Sequence, residues 1–128
     1  IHEAHRWRKK LGGGMRQAGI IAAPGIIAIE KMVDRLKEDH ENAHAFYERI
    51  SEIPGLQVDE PDTNILFVGF EEFDIEAGKL SKELAKLGVL VYGEYGKRTR
   101  FVFNRMVESD DVPYVADVLE DILEKHRD

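Results

Sequence analysis

The stretch Gly12-Gly13-Gly14-Met15-Arg16-Gln17-Ala18-Gly19 organises the chain, and the rest is read outward from it. Three consecutive glycines are costly in backbone entropy, so they mark a segment that needs unusual dihedrals or close backbone approach. An apolar run of helical length follows at once. A glycine loop feeding a helix N-terminus presents free N–H groups and the positive end of the helix dipole, which suits an anion. Arg16, placed by this reading in the first helical turn, adds an always-ionised charge. The other reading is structural: a tight turn between two packed helices.

Upstream of the glycines stands Arg6-Trp7-Arg8-Lys9-Lys10-Leu11, and downstream Ile20-Ile21-Ala22-Ala23. With the block between them, these residues resemble the low-specificity threonine aldolases. Those are lyases dependent on pyridoxal 5'-phosphate (PLP), with the aspartate-aminotransferase-like architecture called fold-type I. The resemblance covers the whole chain but only the C-terminal part of the family's sequence. Asp62-Thr63-Asn64 matches the D-T-N with which the family enters a strand, although a turn with a capping side chain reads equally well.

Composition narrows the function classes. A formal net charge of -7, from 25 acidic and 18 basic residues, argues against a nucleic-acid surface, which needs a concentrated basic face. There is no cysteine, hence no disulfide framework and no thiol chemistry. The longest uncharged stretch, Gln17 to Ile29, is too short to span a bilayer, and its flanks lack a cleavable signal arrangement. A cytoplasmic protein is expected. The opening Ile1-His2-Glu3-Ala4-His5-Arg6 reads as entry into the middle of a helix, so a fragment or separated domain is expected too.

Taken in order, residues 1 to about 10 read as a helix end with Arg8, Lys9 and Lys10 complementing its dipole. The run from Met15 to Val33 reads as a second helix, apolar all round and so in need of a partner surface, with a kink at Pro24-Gly25. A third helix is predicted from Asp34 to Glu52, carrying Leu36, Ala43, Phe46, Ile50 and Ile53 on one face. Leu56–Val58, Asn64–Phe70, Val89–Tyr92 and Thr99–Asn104 read as strands, with a turn over Gly93 to Lys97. Between and after them fall helices over Asp74–Lys86, capped by Gly88, and from Ser109-Asp110-Asp111 onward. This order gives an α+β fold: a small, mostly antiparallel sheet with helices on one face, preceded by a helical segment. The division expected is 1–33 as a connecting segment with its glycine loop and 34–128 as a small α/β domain. The resemblance implies the C-terminal small domain of a fold-type I PLP enzyme.

Two places carry residues suited to chemistry. His40-Glu41-Asn42-Ala43-His44 matches H-E-x-x-H on a helix, where histidines at i and i+4 can share a zinc ion with Glu41 as general base. No third ligand follows, the helix is charge-rich, and solvated histidines are the default, so no metal site is assigned. His2, His5 and His126 near the termini read as structural or solvated histidines. Arg100 lies in Thr99-Arg100-Phe101-Val102-Phe103-Asn104, whose alternation puts Arg100 and Val102 on one face and the phenylalanines on the other. Its planar fork suits a substrate carboxylate, and a neighbouring acid would satisfy it equally.

The resemblance adds roles to these positions. In threonine aldolases the strand reads R-L-V-T-H, and its arginine holds the α-carboxylate of the amino-acid substrate. Arg100 matches it, while Phe103 and Asn104 depart from the usual Thr-His. Lys9 and Arg16 match basic positions flanking the cofactor where subunits meet, which implies a homo-oligomer. The family's Schiff-base lysine, stacking histidine and pyridine-nitrogen aspartate lie upstream of the block and match nothing in these 128 residues. The resemblance therefore implies part of an enzyme cleaving L-threonine or L-allo-threonine to glycine and acetaldehyde, inactive as this chain alone. A non-catalytic interaction domain, buried through Ile20 to Ile29, and a zinc hydrolase are the other classes.

Overall fold

Helix α1 (His2–Lys10) places Arg8, Lys9 and Lys10 in its last turn and stops where the glycines begin. Gly12, at φ +87°, turns the chain into the left-handed region that a side chain disfavours. Its N–H then reaches Lys9 O at 3.3 Å and that of Gly13 reaches Arg8 O at 2.8 Å. These two backward bonds are a Schellman closure of the helix. Helix α2 (Gly19–Lys31) follows and contains Pro24 without ending there. It begins later than expected. Gln17 has φ +51°, which no right-handed helix can pass through, so Arg16 lies in the connecting bend and not in the first turn.

The computed structural model describes residues 1–92 and 96–127. Two compact units make it up, residues 1–34 and residues 35–128. The first holds α1 and α2, and no residue of either helix is buried.

The second unit opens with α3 (Leu36–Ile50), which turns Asp39, Asn42, Ala43, Phe46 and Ile50 inward. Strands β1 (Gln57–Val58) and β2 (Ile65–Gly69), helix α4 (Ala77–Lys86), strand β3 (Arg98–Val102) and helix α5 (Asp111–Glu124) follow. The sheet is antiparallel throughout, in the order β1-β2-β3. Ile65 pairs with Val102, Leu66 with Phe101, Phe67 with Arg100, Val68 with Thr99 and Gly69 with Arg98. Asn64 extends this register: its carbonyl accepts the Phe103 N–H at 2.9 Å, and its side-chain amide donates to Phe103 O at 2.6 Å. The Asn of D-T-N is thus a clamp across the two strands.

One face of the sheet carries Leu66, Val68 and Phe101, and these join a single core with Phe46 and Ile50 of α3, Leu80 and Leu84 of α4, and Leu119 and Ile122 of α5. The buried polar groups have partners. Asp39 receives two hydrogen bonds from Arg35, at 2.7 and 2.9 Å, which hold the guanidinium pKa above its ordinary value. Asn42 donates to Val107 O at 3.1 Å. At the far end the Asp74 N–H reaches His126 O at 2.7 Å and Phe73 bridges Arg127, tying the last described residues to the loop after β2.

Three further expected elements differ. Asp74 is spent on that tie, and α4 begins at Ala77 instead. The last helix is entered without a capping bond from Ser109 or Asp110; the Asp111 carboxylate accepts the Glu108 N–H at 2.9 Å instead. Val89–Tyr92 forms no strand, only a bridge of Tyr92 to Arg100. Competing bonds account for this. The Val89 N–H closes α4 on Leu84 O at 3.0 Å behind Gly88 at φ +83°, and the Tyr114 hydroxyl holds Leu87 O at 2.9 Å. The segment therefore leaves α4 towards α5 and meets β3 only at its end. Residues 93–95 of the expected turn lie outside the described residues.

Phe46 is fully buried, with ring centroids 4.9 Å from Phe101 and 5.5 Å from Phe103, so it joins helix to sheet. Phe46→Ala should lower the unfolding free energy by about 3–5 kcal/mol, read from the urea midpoint at an unchanged m-value. A loss below about 1 kcal/mol would contradict this core.

Candidate functional site

Arg100 sits in the middle of β3 on the sheet face turned away from the core. The burial along Arg98–Val102 alternates, with Thr99 and Phe101 buried and Arg98, Arg100 and Val102 exposed. Outward from β2 come Ile65 and Phe67, the residues opposite Val102 and Arg100. The guanidinium of Arg100 lies 5.9 Å from the ring centroid of Tyr92, and that of Arg98 lies 4.7 Å from the ring of Phe67. Such stacking leaves the hydrogen-bonding fork of an arginine available.

Backbone geometry fixes this arrangement. Tyr92 O accepts the Arg100 N–H at 3.4 Å and the Thr99 hydroxyl at 2.9 Å, so among the described residues the rung on the outer edge of β3 lies at Arg100. No carboxylate among the described residues forms an ion pair with Arg100. Among the described residues no acid on this face satisfies Arg100, which leaves its fork available there to a planar anion.

Lys9 and Arg16 lie in the other unit. Lys9 is in the last turn of α1, and its stem runs along Gly14, where an added Cβ would meet Lys9 Cε at 3.6 Å. Arg16 is exposed in the bend ahead of α2. The N–H groups of Gly12 and Gly13 are consumed in closing α1, whereas those of Gly14 to Gln17 meet no acceptor among the described residues. Two cations and a run of free amides make a segment chemically suited to a phosphate. The glycines are therefore in the first place a helix stop, and the anion-suited amides come after them.

The H-E-x-x-H segment is occupied differently. His40 is exposed, while His44 lies 3.2 Å from Glu60 and 3.6 Å from Glu48. Asn42, between them, is buried and bound to Val107 O. Among the described residues, no group of three His, Cys, Asp or Glu is placed to hold a metal ion. His126 lies 3.6 Å from Glu83.

Tyr92 and Arg98 escaped the sequence reading. Arg98 shares the parity of Arg100 on the strand, a signal that was present. The pairing of Tyr92 with Arg100 depends on a connection whose length no pattern specifies.

A family model described as beta-eliminating lyase matches residues 1–72, more than half of the chain. The chain belongs to that family. It is 32% identical over 117 residues to low-specificity L-threonine aldolase 1 of Arabidopsis thaliana, covering 89% of this chain and 33% of that protein. It is 54% identical over 68 residues to the low specificity L-threonine aldolase of Escherichia coli K12, covering 53% and 20%. The chain thus spans about a third or less of the length of these relatives. Among solved structures, the cysteine desulfurase CsdA of Escherichia coli superposes with a TM-score of 0.72 at 16% identity, over 88% of this chain and 32% of that one. A Listeria monocytogenes protein assigned as an L-allo-threonine aldolase gives 0.64 at 19% identity, over 98% and 37%. At these identities the likeness carries the fold alone, and the expected α+β architecture of a fold-type I small domain stands. No helix among the described residues is long and apolar enough to cross a membrane.

The glycine positions make separable demands. A Cβ on Gly13 would lie 2.9 Å from Arg8 O and 2.8 Å from Arg8 Cγ, whereas one on Gly14 meets only ordinary contacts. Gly13→Ala should open the end of α1, read as faster hydrogen exchange at residue 13 and lost helicity over residues 7–10. Gly14→Ala should leave both unchanged. Equal behaviour of the two variants would contradict the closure described.

Proposed function

We propose that this chain is the C-terminal part of a PLP-dependent threonine aldolase, which cleaves L-threonine or L-allo-threonine to glycine and acetaldehyde. The observation that carries the reading is Arg100, matched to the carboxylate-binding arginine of that family and, among the described residues, without an acidic partner on an outward sheet face. In this role Arg100 receives the α-carboxylate through two parallel N–H···O bonds and fixes the orientation of the amino acid. Lys9 and Arg16, with the free amides of residues 14–17, supply positive charge and donors towards the cofactor phosphate. PLP, when bound, supplies the electron sink for breaking the Cα–Cβ bond. Residues 1–33 act on this reading as the segment connecting the small domain to the rest of a cytoplasmic homo-oligomeric enzyme.

The chain alone is then inactive, because the lysine that holds PLP belongs to a part of the enzyme outside this sequence. Titrating PLP into the purified chain, trapping with borohydride and mass spectrometry should give no stoichiometric lysine adduct and no acetaldehyde from threonine. A single adduct whose absorbance responds to threonine would overturn the assignment.

A second reading, a non-catalytic interaction domain, is favoured by α2. Ile20, Ile21, Ile26, Ile27 and Ile29 are each between 51% and 76% exposed within their unit, more apolar surface than a helix leaves uncovered. Burial of α2 against a second copy requires sedimentation to depend on concentration. A monomer at every concentration contradicts that reading.

A further inference from the structure

Arg98 and Arg100 stand on the same face of β3, two residues apart, with Cα atoms separated by roughly 6.5–7 Å on an extended strand. Arg98 stacks on Phe67, the residue directly opposite Arg100, so its side chain leans towards Arg100 and not away from it. Two like charges are thereby held on one small surface. Their repulsion is unrelieved by any acid among the described residues.

Scarcity of acids does not explain this, since the chain carries 25 acidic against 18 basic residues. Three of the four other arginines of the same unit find them: Arg35 meets Asp39 at 2.7 Å, Arg49 meets Asp117 and Glu120 at 3.1 and 3.0 Å, and Arg127 meets Glu124 at 2.9 Å. Arg98 and Arg100 meet aromatic rings instead. A ring supports a guanidinium from one face and leaves its N–H edge for an oxygen ligand. Around the pair lie Ile65, Phe67 and Val102, an exposed apolar floor beside the charges.

We propose that Arg98 and Arg100 form a two-guanidinium site on the outward face of β3 that takes a small dicarboxylate, with one carboxylate at each arginine. The inference deepens the reading of Arg100 as a carboxylate ligand and rests on it. Each fork pairs with one carboxylate in a planar, bidentate manner, and the short carbon chain of the ligand lies over the apolar floor. In a complete enzyme, Arg98 would extend recognition to amino acids bearing a second anionic group.

Titration of the isotopically labelled 128-residue chain with succinate and with acetate, followed by NMR at the arginine Nε–H groups and the amides of residues 98–102, tests this. At low salt, succinate should bind at least about tenfold more tightly than acetate, since two charge-assisted contacts replace one. Arg98→Ala should bring succinate down to the level of acetate and leave acetate unchanged, whereas Arg100→Ala should abolish acetate binding. Both side chains are exposed, and Arg98→Gln serves as a second variant should the alanine form fail to fold. Succinate no tighter than acetate, or unaffected by loss of Arg98, overturns the two-arginine site while leaving Arg100 as an acetate ligand. Acetate binding that survives Arg100→Ala, or no acetate binding at all, overturns the reading of Arg100 itself.

Discussion

The pairing of β2 with β3 sets the rest of the second unit. Five consecutive rungs, from Ile65 opposite Val102 to Gly69 opposite Arg98, sort alternate residues to opposite faces. Leu66, Val68 and Phe101 are thereby committed to the core shared by α3, α4 and α5. The same alternation commits Phe67, Arg98 and Arg100 to the outside. A slip of one residue would drive two guanidinium groups inward and two large apolar side chains out, at a cost that far exceeds the energy of any single rung. Asn64 guards against that slip by binding Phe103 through both backbone and side chain. The position of the arginines is thus a by-product of how the core is filled.

Much of this was legible in the amino-acid order. The period-two pattern of residues 99–104 separates Arg100 from Phe101 and Phe103 without any structure. The face of α3 is equally plain from Ala43, Phe46 and Ile50, all buried as their spacing requires, whereas Leu36, expected on the same face, is the first residue of the helix and stays exposed. What was not legible came from competition between hydrogen bonds. Val89–Tyr92 has the composition of a strand, yet its first N–H is spent closing α4 and Tyr114 holds the preceding carbonyl. Propensity describes a residue's own preference and is blind to a distant tyrosine hydroxyl. The entry to α2 was misplaced for a related reason: nothing in Met15-Arg16-Gln17 announces the left-handed backbone at Gln17.

The two units differ in how they meet the demand for burial. Residues 35–128 enclose their own apolar side chains, and buried polar groups such as Asp39 and Asn42 are satisfied from within. Residues 1–34 enclose none in α1 or α2, although α2 is the most apolar stretch of the sequence. A helix apolar on every side gains little from folding alone. The first unit accordingly carries its order in local devices, of which the glycine closure of α1 is the clearest.

Strand β3 is also an edge. Beyond Tyr92, which meets it at Arg100, no other strand among the described residues lies against its outer side. An edge of this kind invites the backbone of another molecule, and charged side chains upon it are a common defence against such pairing. Arg98 and Arg100 fill that office, standing over Ile65, Phe67 and Val102 on an otherwise apolar surface. The two side chains proposed to receive an anion are thus also the ones that guard this edge. Charge at these two positions would therefore serve the strand edge even where no anion is bound.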